Sequence, residues 1–163
     1  MPRESLDLVP DERGIRAVRV IWDRLRDAGL PTQADHRGRS NKVHLTLAES
    51  THVADPAAAA AAVSPMLPLT LPVAGLVVLG SGRMAVALLL SAPPELVTTV
   101  SRLRTGVGQP EPPWVPHVTL ARQVPREQVG AVVDAVGAHG LTALRFVQLR
   151  HWQPATAQVT TLA

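Results

Sequence analysis

The spacing of hydrophobic residues along this 163-residue chain predicts alternating strands and helices. Short aliphatic runs, alternating or continuous, indicate strands, whereas apolar residues three or four positions apart indicate amphipathic helices. Proline and aspartate stand before several helical runs, and glycine follows the first, as expected at helix ends. The predicted strands cover residues 5–9, 43–47, 69–80, 84–91, 117–120, 141–152 and 156–162, and the predicted helices begin near residues 10, 56, 93 and 125.

The order of these elements, β-α-β-α-β-β-α-β-α-β-β, contains two similar halves. A chain of this length forms one domain or two small lobes that share a core. We therefore predict an α/β (α+β) protein, in which residues 1–163 form a single domain of two pseudo-symmetric βαβ-type lobes with a central cleft. The aliphatic runs at 69–80 and 84–91 flank a Gly-Ser-Gly turn, which predicts a hairpin. Because both runs are continuous, we expect both of their faces to be covered.

Two segments of this pattern contain the same arrangement of polar residues. Residues 43–47 read Val-His-Leu-Thr-Leu and residues 116–120 read Pro-His-Val-Thr-Leu, nearly half the chain apart. Because alternate residues of a strand point to the same face, each histidine shares a face with the threonine two positions later. The aliphatic residues between them are then free to be buried on the other face. A duplicated fold would bring the two segments together across one cleft.

The four polar side chains of these segments, His44, Thr46, His117 and Thr119, suit acid–base chemistry on a phosphodiester. One imidazole takes a proton from the attacking oxygen while the other protonates the leaving oxygen. The threonine hydroxyls can donate hydrogen bonds to the non-bridging phosphate oxygens. The alternative is that the two strands are unrelated and that their histidines and threonines satisfy each other's hydrogen bonds.

Residues beside the motifs are candidates for substrate binding. Lys42 ends a polar loop that also contains Arg37 and Arg39 and leads directly into the first motif. Arg122 follows the second motif and can pair with phosphate, and Trp114 precedes that motif and can stack on a nucleobase. The alternatives are that these cations are solvated at the surface and that Trp114 anchors its own loop to the protein.

Composition narrows the remaining classes of function. The chain has no cysteine, which excludes disulfides, thiolate metal sites and a cysteine nucleophile. The other four histidines have no metal-ligand spacing and no carboxylate cluster beside them, so we predict no metal and no cofactor. A formal net charge of +3 suits a polyanionic ligand without requiring one. The amino terminus lacks an apolar signal-peptide core, and glycines interrupt the most apolar stretch, so we predict a soluble cytoplasmic protein.

The paired His-x-Thr-x segments resemble those of the 2H phosphoesterase superfamily, which includes bacterial 2′-5′ RNA ligases and cyclic phosphodiesterases. The resemblance covers both motifs, the chain length and the order of elements between the motifs. It implies an RNA ligase-like fold, in which the motifs face each other across a cleft between pseudo-symmetric α/β lobes. It also implies opening of 2′,3′-cyclic phosphates, or formation or cleavage of 2′-5′ linkages, without a metal. His44, Thr46, His117 and Thr119 would be the catalytic set, with His117 as base and His44 as acid in hydrolysis.

These observations together predict a metal-independent 2H-type phosphodiesterase. Its substrate would be an RNA or a nucleotide that carries a 2′,3′-cyclic phosphate or a 2′-5′ linkage, and we expect a monomer. The alternative is a non-catalytic module that keeps the cleft and binds nucleotides or RNA without turnover. A metal-dependent hydrolase with His44 and His117 as ligands is a third interpretation, but it leaves both threonines without a role.

Overall fold

A computed structural model describes residues 3–36 and 41–163 of the chain. Its helices and strands follow the predicted order one for one. They are β1 (Glu4–Pro10), α1 (Glu12–Asp27), β2 (Leu45–Ser50), α2 (Pro56–Val63), β3 (Leu69–Leu79), β4 (Met84–Leu90), α3 (Pro94–Gly106), β5 (His117–Val124), α4 (Val129–Val136), β6 (Ala143–Gln153) and β7 (Gln158–Thr161). Short 3-10 turns lie at Gln33–Asp35, Ser64–Met66 and Arg126–Gln128.

Local sequence signals set the helix boundaries. Asp11 caps α1, where its carboxylate accepts a hydrogen bond of 2.8 Å from the Gly14 N–H, and Asp55 caps α2 by accepting one of 2.9 Å from Ala58. Such caps satisfy N–H groups that have no partner within the helix. Gly29 follows α1 with a φ of +67°, a left-handed conformation that glycine adopts without strain. No helix among the described residues is long and apolar enough to cross a membrane.

In the described part of the chain, seven strands form one antiparallel sheet with the order β2-β1-β6-β3-β4-β5, and β7 pairs with β6. The predicted mixed α/β class is therefore confirmed. The repeated β-α-β order does not produce the parallel strands that usually accompany it. Instead, β2 returns antiparallel to β1, and β5 returns antiparallel to β4.

Strand β3 divides the sheet into two lobes. Residues 69–72 of β3 pair with β6, and residues 73–79 pair with β4. The first lobe therefore contains β2, β1, β6 and β7, and the second contains the rest of β3 with β4 and β5. The strands at the two ends of the order, β2 and β5, approach each other within 8 Å between Cα atoms. These two end strands carry the two predicted motifs.

The helices pack across the lobes and join them through one core. Helix α1, from the first half of the chain, contacts β5 of the second lobe, and α3 contacts β2 of the first lobe. Phe146, Leu45 and Leu120 are fully buried in the shared core. The two aliphatic runs predicted strands with both faces covered. This prediction is confirmed for β4 and wrong for β3, in which Leu71 alone is buried. The reason is that, among the described elements, α4 packs against β4 and no helix packs extensively against β3.

Candidate active site

Both motifs show the predicted alternation, at the open ends of the sheet. His44 lies directly before β2 and His117 opens β5, and each histidine is half-buried together with the threonine that follows it. The aliphatic residues between and after them are 0–1% exposed. The histidine and threonine of each motif therefore lie on one accessible face, and the aliphatic residues anchor the strand in the core.

Each motif strand also contains a β-bulge at the same position. The register of β2 against β1 skips Leu47, and the register of β5 against β4 skips Leu120. Each bulged leucine follows its threonine and is followed by a buried alanine, Ala48 or Ala121. A bulge sets two consecutive residues against one partner and re-aims neighbouring side chains, which is common beside active sites. The shared pattern is thus His-x-Thr-Leu-Ala, one residue longer than the predicted motif.

The two imidazoles make the same hydrogen bond. Nδ1 of His44 lies 2.6 Å from the Lys42 carbonyl oxygen, and Nδ1 of His117 lies 2.7 Å from the Val115 carbonyl oxygen. A carbonyl only accepts, so each Nδ1 carries a proton and donates it. In the neutral ring Nε2 then has the free electron pair, and in the charged ring it carries the second proton. Each histidine can therefore act as base or acid through Nε2, with its ring orientation fixed by the backbone.

Two tryptophans connect each half of the chain to the motif of the other half. Trp22, buried in the core as its place in α1 predicts, donates its indole N–H to the Thr119 carbonyl oxygen at 3.1 Å. Trp114, before β5, donates to the Thr46 carbonyl oxygen at 2.9 Å. Both carbonyls belong to end strands, so the indoles supply donors that no neighbouring strand provides. This crossed pair of indoles ties the two motif strands to the opposite halves.

The threonine side chains have different surroundings. In the sheet register Thr46 lies opposite Asp7, whereas Thr119 lies opposite Ala87. The Thr46 hydroxyl donates to Asp7 Oδ1 at 3.0 Å, and Arg150 Nε donates to Asp7 Oδ2 at 3.2 Å. Sequence reasoning missed this ion pair because its members lie 143 positions apart. The one available signal was a carboxylate between two leucines in the first predicted strand.

A cavity of about 660 Å³ opens beside the motifs. Thr46, His117 and Trp114 all line it, so the structure brings these three predicted residues to one space. Arg3 and Arg104 also line the cavity together with Glu49 and Glu111, and Arg3 pairs with Glu49 at 3.2 Å, so the formal charges of the wall balance. Trp114 makes the anchoring contact that was one of its two predicted roles, and the part of its ring that remains exposed faces a space where a ligand can bind.

The other predicted site residues do not line this cavity. His44 lies two positions before Thr46, and Thr119 lies two positions after His117, and both Thr46 and His117 line the cavity. Lys42 is exposed and lines a second cavity at the end of β1, and Arg122 lines a third beside the turn after α1. These cavities share no lining residue with the first. Outside the described residues lie the two loop arginines, Arg37 and Arg39.

One titratable group near the first motif strand has a shifted pKa. Burial acts to raise the pKa of Glu4, but hydrogen bonds from the Val53 N–H, from His151 and from His52 outweigh it, so the pKa lies below its ordinary value. The Glu4 carboxylate lies 2.8 Å from His151 Nε2 and 3.0 Å from the Val53 nitrogen. This cluster surrounds the end of β2 that is remote from His44. Neither it nor any other group in the described residues has three or more side chains arranged to hold a metal ion.

Comparison with known proteins adds a family and a fold. A model of the 2′-5′ RNA ligase superfamily matches residues 10–163, nearly the whole chain. No individual curated protein matches the sequence significantly. The match across both motifs confirms the resemblance to the 2H phosphoesterases that the sequence predicted.

Solved structures of low sequence identity share the fold from end to end. Usb1 from Kluyveromyces marxianus has a TM-score of 0.58 at 14% identity, over 98% of this chain and 97% of that one. The same protein with uridine monophosphate has a TM-score of 0.58 at 13% identity, over 98% of this chain and 97% of that one. LigT from E. coli, complexed with 3′-AMP, has a TM-score of 0.53 at 17% identity, over 98% of this chain and 92% of that one. With nearly every residue matched by the family model, the chain belongs to the 2′-5′ RNA ligase superfamily, which supports a phosphodiesterase-like function.

Proposed function

We propose that this protein is a metal-independent phosphodiesterase acting on an RNA or a nucleotide with a 2′,3′-cyclic phosphate or a 2′-5′ linkage. The observation that carries the proposal is the matching pair of imidazoles, each with Nδ1 held by a backbone carbonyl and Nε2 left for a substrate. Acid–base chemistry at a phosphodiester needs one proton acceptor for the attacking oxygen and one proton donor for the leaving oxygen. Two histidine motifs on neighbouring end strands supply one of each.

The reaction then follows from the protonation states of the two rings. In hydrolysis of a cyclic phosphate, the neutral histidine takes a proton from water through Nε2 as the water oxygen attacks phosphorus. The charged histidine delivers its Nε2 proton to the ribose oxygen as the P–O bond breaks. The product carries a phosphate monoester and a free hydroxyl, and the two rings have exchanged protonation states. Because side chains supply the proton transfers and a threonine hydroxyl can stabilise the phosphate charge, we expect no need for a divalent ion.

Ligands of the structural relatives support a nucleotide substrate. Usb1 was solved with uridine monophosphate and LigT with 3′-AMP. The cavity beside the motifs, about 660 Å³, lies in the size range of small-molecule sites, and Trp114 offers an aromatic surface for a base. Lys42 and Arg122 stay predicted binding residues. Because they line other cavities, we expect them to contact RNA beyond the reacting nucleotide.

A turnover assay tests the proposal. The protein is incubated, in excess chelator, with 2′,3′-cyclic nucleotides, with short RNAs that end in a cyclic phosphate and with 2′-5′-linked dinucleotides. We expect turnover of at least one of these substrates and a bell-shaped pH dependence with both limbs set by imidazoles. Nucleotide binding without turnover would favour the non-catalytic module, and activity that depends on added Zn²⁺ or Mn²⁺ would favour the metal-dependent hydrolase. The monomeric state and the cytoplasmic location stay predictions.

A further inference from the structure

We propose that Asp7 gives the two motif threonines opposite hydrogen-bonding roles, an inference that rests on the proposed function. Thr119 donates to a charged oxygen of the substrate phosphate. Thr46 accepts from a hydroxyl group or a water molecule at the same phosphate. Asp7 is a positioning residue in this assignment, because it acts on the substrate through Thr46. The inference follows from a difference between the hydrogen bonds of β2 and those of β5.

Asp7 is a buried carboxylate, 1% exposed. Arg150, whose side chain is 3% exposed, donates from Nε to Asp7 Oδ2 at 3.2 Å. Ser5 Oγ donates to the same oxygen at 3.1 Å. A guanidinium has donors and no acceptor, so the Asp7 oxygen that faces Arg150 accepts. A carboxylate, the ordinary form of aspartate at neutral pH, has no proton to donate, so Asp7 acts only as an acceptor.

The second oxygen of Asp7 therefore fixes the direction of the Thr46 proton. Thr46 Oγ1 lies 3.0 Å from Asp7 Oδ1, and the hydroxyl is the donor. A hydroxyl has one proton and two lone pairs. With its proton donated to Asp7, Thr46 can only accept hydrogen bonds from groups on the accessible face. The non-bridging oxygens of a phosphodiester carry no proton and can only accept. Thr46 could bind them only by releasing Asp7, which would leave a buried carboxylate oxygen without this partner.

The second motif lacks this arrangement. Ala87 lies opposite Thr119 and has no acceptor on its side chain. Within residues 3–36 and 41–163, the Thr119 hydroxyl makes no hydrogen bond, although its main-chain carbonyl accepts from Trp22. The Thr119 proton is therefore available to a ligand.

The two roles match two kinds of oxygen in the reaction. Non-bridging phosphate oxygens carry charge and need donors, which Thr119 supplies. A water molecule or a ribose hydroxyl carries a proton and is oriented by an acceptor, which Thr46 supplies on the same face as His44. In hydrolysis this assignment places the attacking water beside His44 and makes His44 the base, the reverse of the order that the resemblance implies. Replacing Thr46 should therefore lower turnover without weakening phosphate binding. Replacing Thr119 should lower turnover and also weaken phosphate binding.

The matched variants Thr46→Val and Thr119→Val test these roles, because each removes one hydroxyl and keeps the side-chain shape. Calorimetric titration with 3′-AMP and with inorganic phosphate measures phosphate affinity, and thermal unfolding verifies the fold. We expect Thr119→Val to weaken 3′-AMP binding about tenfold, as for loss of a hydrogen bond to a charged group, and Thr46→Val to change it less than about twofold. On a cyclic nucleotide, Thr46→Val should lower kcat with little change in KM.

Several outcomes would overturn the assignment. Equal weakening by both substitutions, or a larger effect of Thr46→Val, would mean that Thr46 donates to the phosphate. Failure of the unmodified protein to bind either probe would mean that Thr119 donates to no phosphate. If the protein binds the probes but turns over neither a cyclic phosphate nor a 2′-5′ linkage, the proposed function fails, and the binding comparison still decides the roles of the threonines.

A second set of variants tests Asp7 itself. A single Asp7 substitution removes a countercharge from buried Arg150 and threatens the fold, so the paired variant Asp7→Leu, Arg150→Met replaces both charges with apolar residues. In that background the Thr46 proton is released. We expect Thr46→Val to weaken 3′-AMP binding about tenfold there, although it has little effect when Asp7 is present. The same small effect in both backgrounds would exclude Asp7 as the residue that positions Thr46.

Discussion

The two motif strands share their backbone contacts and differ at one position of the sheet register. Both carry a bulge after the threonine, hold a histidine through Nδ1 and receive an indole hydrogen bond from the opposite half. Opposite the threonine, however, β1 has Asp7 and β4 has Ala87. The backbone thus sets what both halves do, which is to present Nε2 of an imidazole. One side chain sets how they differ, because it decides which hydroxyl is free to donate.

The largest expected effect tests the equivalence of the two histidines. His44→Ala and His117→Ala should each lower kcat/KM by about 10²–10⁴-fold, because each removes one of the two proton transfers. Both side chains are half-buried at the end of the sheet, so thermal unfolding should change little. Steady-state kinetics on the best cyclic substrate measure the loss. Normal turnover in either variant would exclude that histidine from the reaction and break the symmetry of the two halves.

A smaller effect compares the two crossed indoles. Trp22→Phe and Trp114→Phe each leave a threonine carbonyl without its indole donor, which costs about 1–3 kcal/mol where water cannot replace it. Trp22 is 4% exposed and Trp114 is half-buried, so we expect the larger loss in the free energy of unfolding for Trp22→Phe. Denaturant unfolding measures both.

The same tryptophan offers a matched pair of variants for base stacking. Trp114→Phe keeps an aromatic ring at the cavity, whereas Trp114→Ala removes it. If Trp114 stacks on a base, only the alanine variant should raise KM for a cyclic nucleotide, by about tenfold. Equal KM values in the two variants would exclude base stacking and leave the hydrogen bond to the Thr46 carbonyl as the role of Trp114.

The next effect concerns the two cations that lie outside the main cavity. Lys42→Ala and Arg122→Ala should leave KM for a cyclic mononucleotide within about twofold, because neither residue lines the cavity of Thr46 and His117. Both should raise KM for a longer RNA ending in a cyclic phosphate by about threefold or more, and the effect should shrink at high salt. An equally large rise for both substrates would place that cation at the reacting phosphate instead.

The smallest expected effect compares the far ends of the lobes. Glu4 opens β1 in a polar cluster, whereas Met84, which opens β4, is an apolar residue that is 8% exposed. Because the pKa of Glu4 is below its ordinary value of 4.5, the charged form stabilises the folded state at neutral pH, and this stabilisation is lost as the pH falls through the folded-state pKa. Glu4→Gln should lower Tm by about 2–4 °C at pH 7, and the difference should close below pH 4.5. A difference that persists at pH 3 would exclude the Glu4 charge as its cause.

Much of the fold was predictable because local signals determine it. The carboxylates of Asp11 and Asp55 cap the helices that they precede, and the strand period alone puts His44 and Thr46 on one face. Such signals need only neighbouring residues. They determine the order of the elements and which faces are buried, but not how the strands pair, which is why the antiparallel sheet came from the structure.

The rest of the site depends on residues that are far apart in the sequence. The contact between Asp7 and Arg150 spans 143 positions, and each indole bond joins opposite halves, so no local pattern identifies the partners. The sequence shows only that a carboxylate, Asp7, stands between two leucines. The bulge at Leu120 also interrupts the alternation after the second motif. The direction of Arg122 therefore cannot be found by counting from Thr119. The Leu-Ala pair that follows each threonine is present in the sequence, but the motif as predicted ended before the alanine.

The register position that differs between the halves also has a consequence for symmetry. In a homodimer of half-length subunits, the two-fold axis would require the same residue opposite both threonines. A single chain has no such requirement, and Asp7 stands in one half where Ala87 stands in the other. A substitution in one half then alters one side of the cleft alone. A scaffold with near two-fold symmetry can in this way fit a phosphodiester, whose attacking and leaving oxygens are chemically unlike.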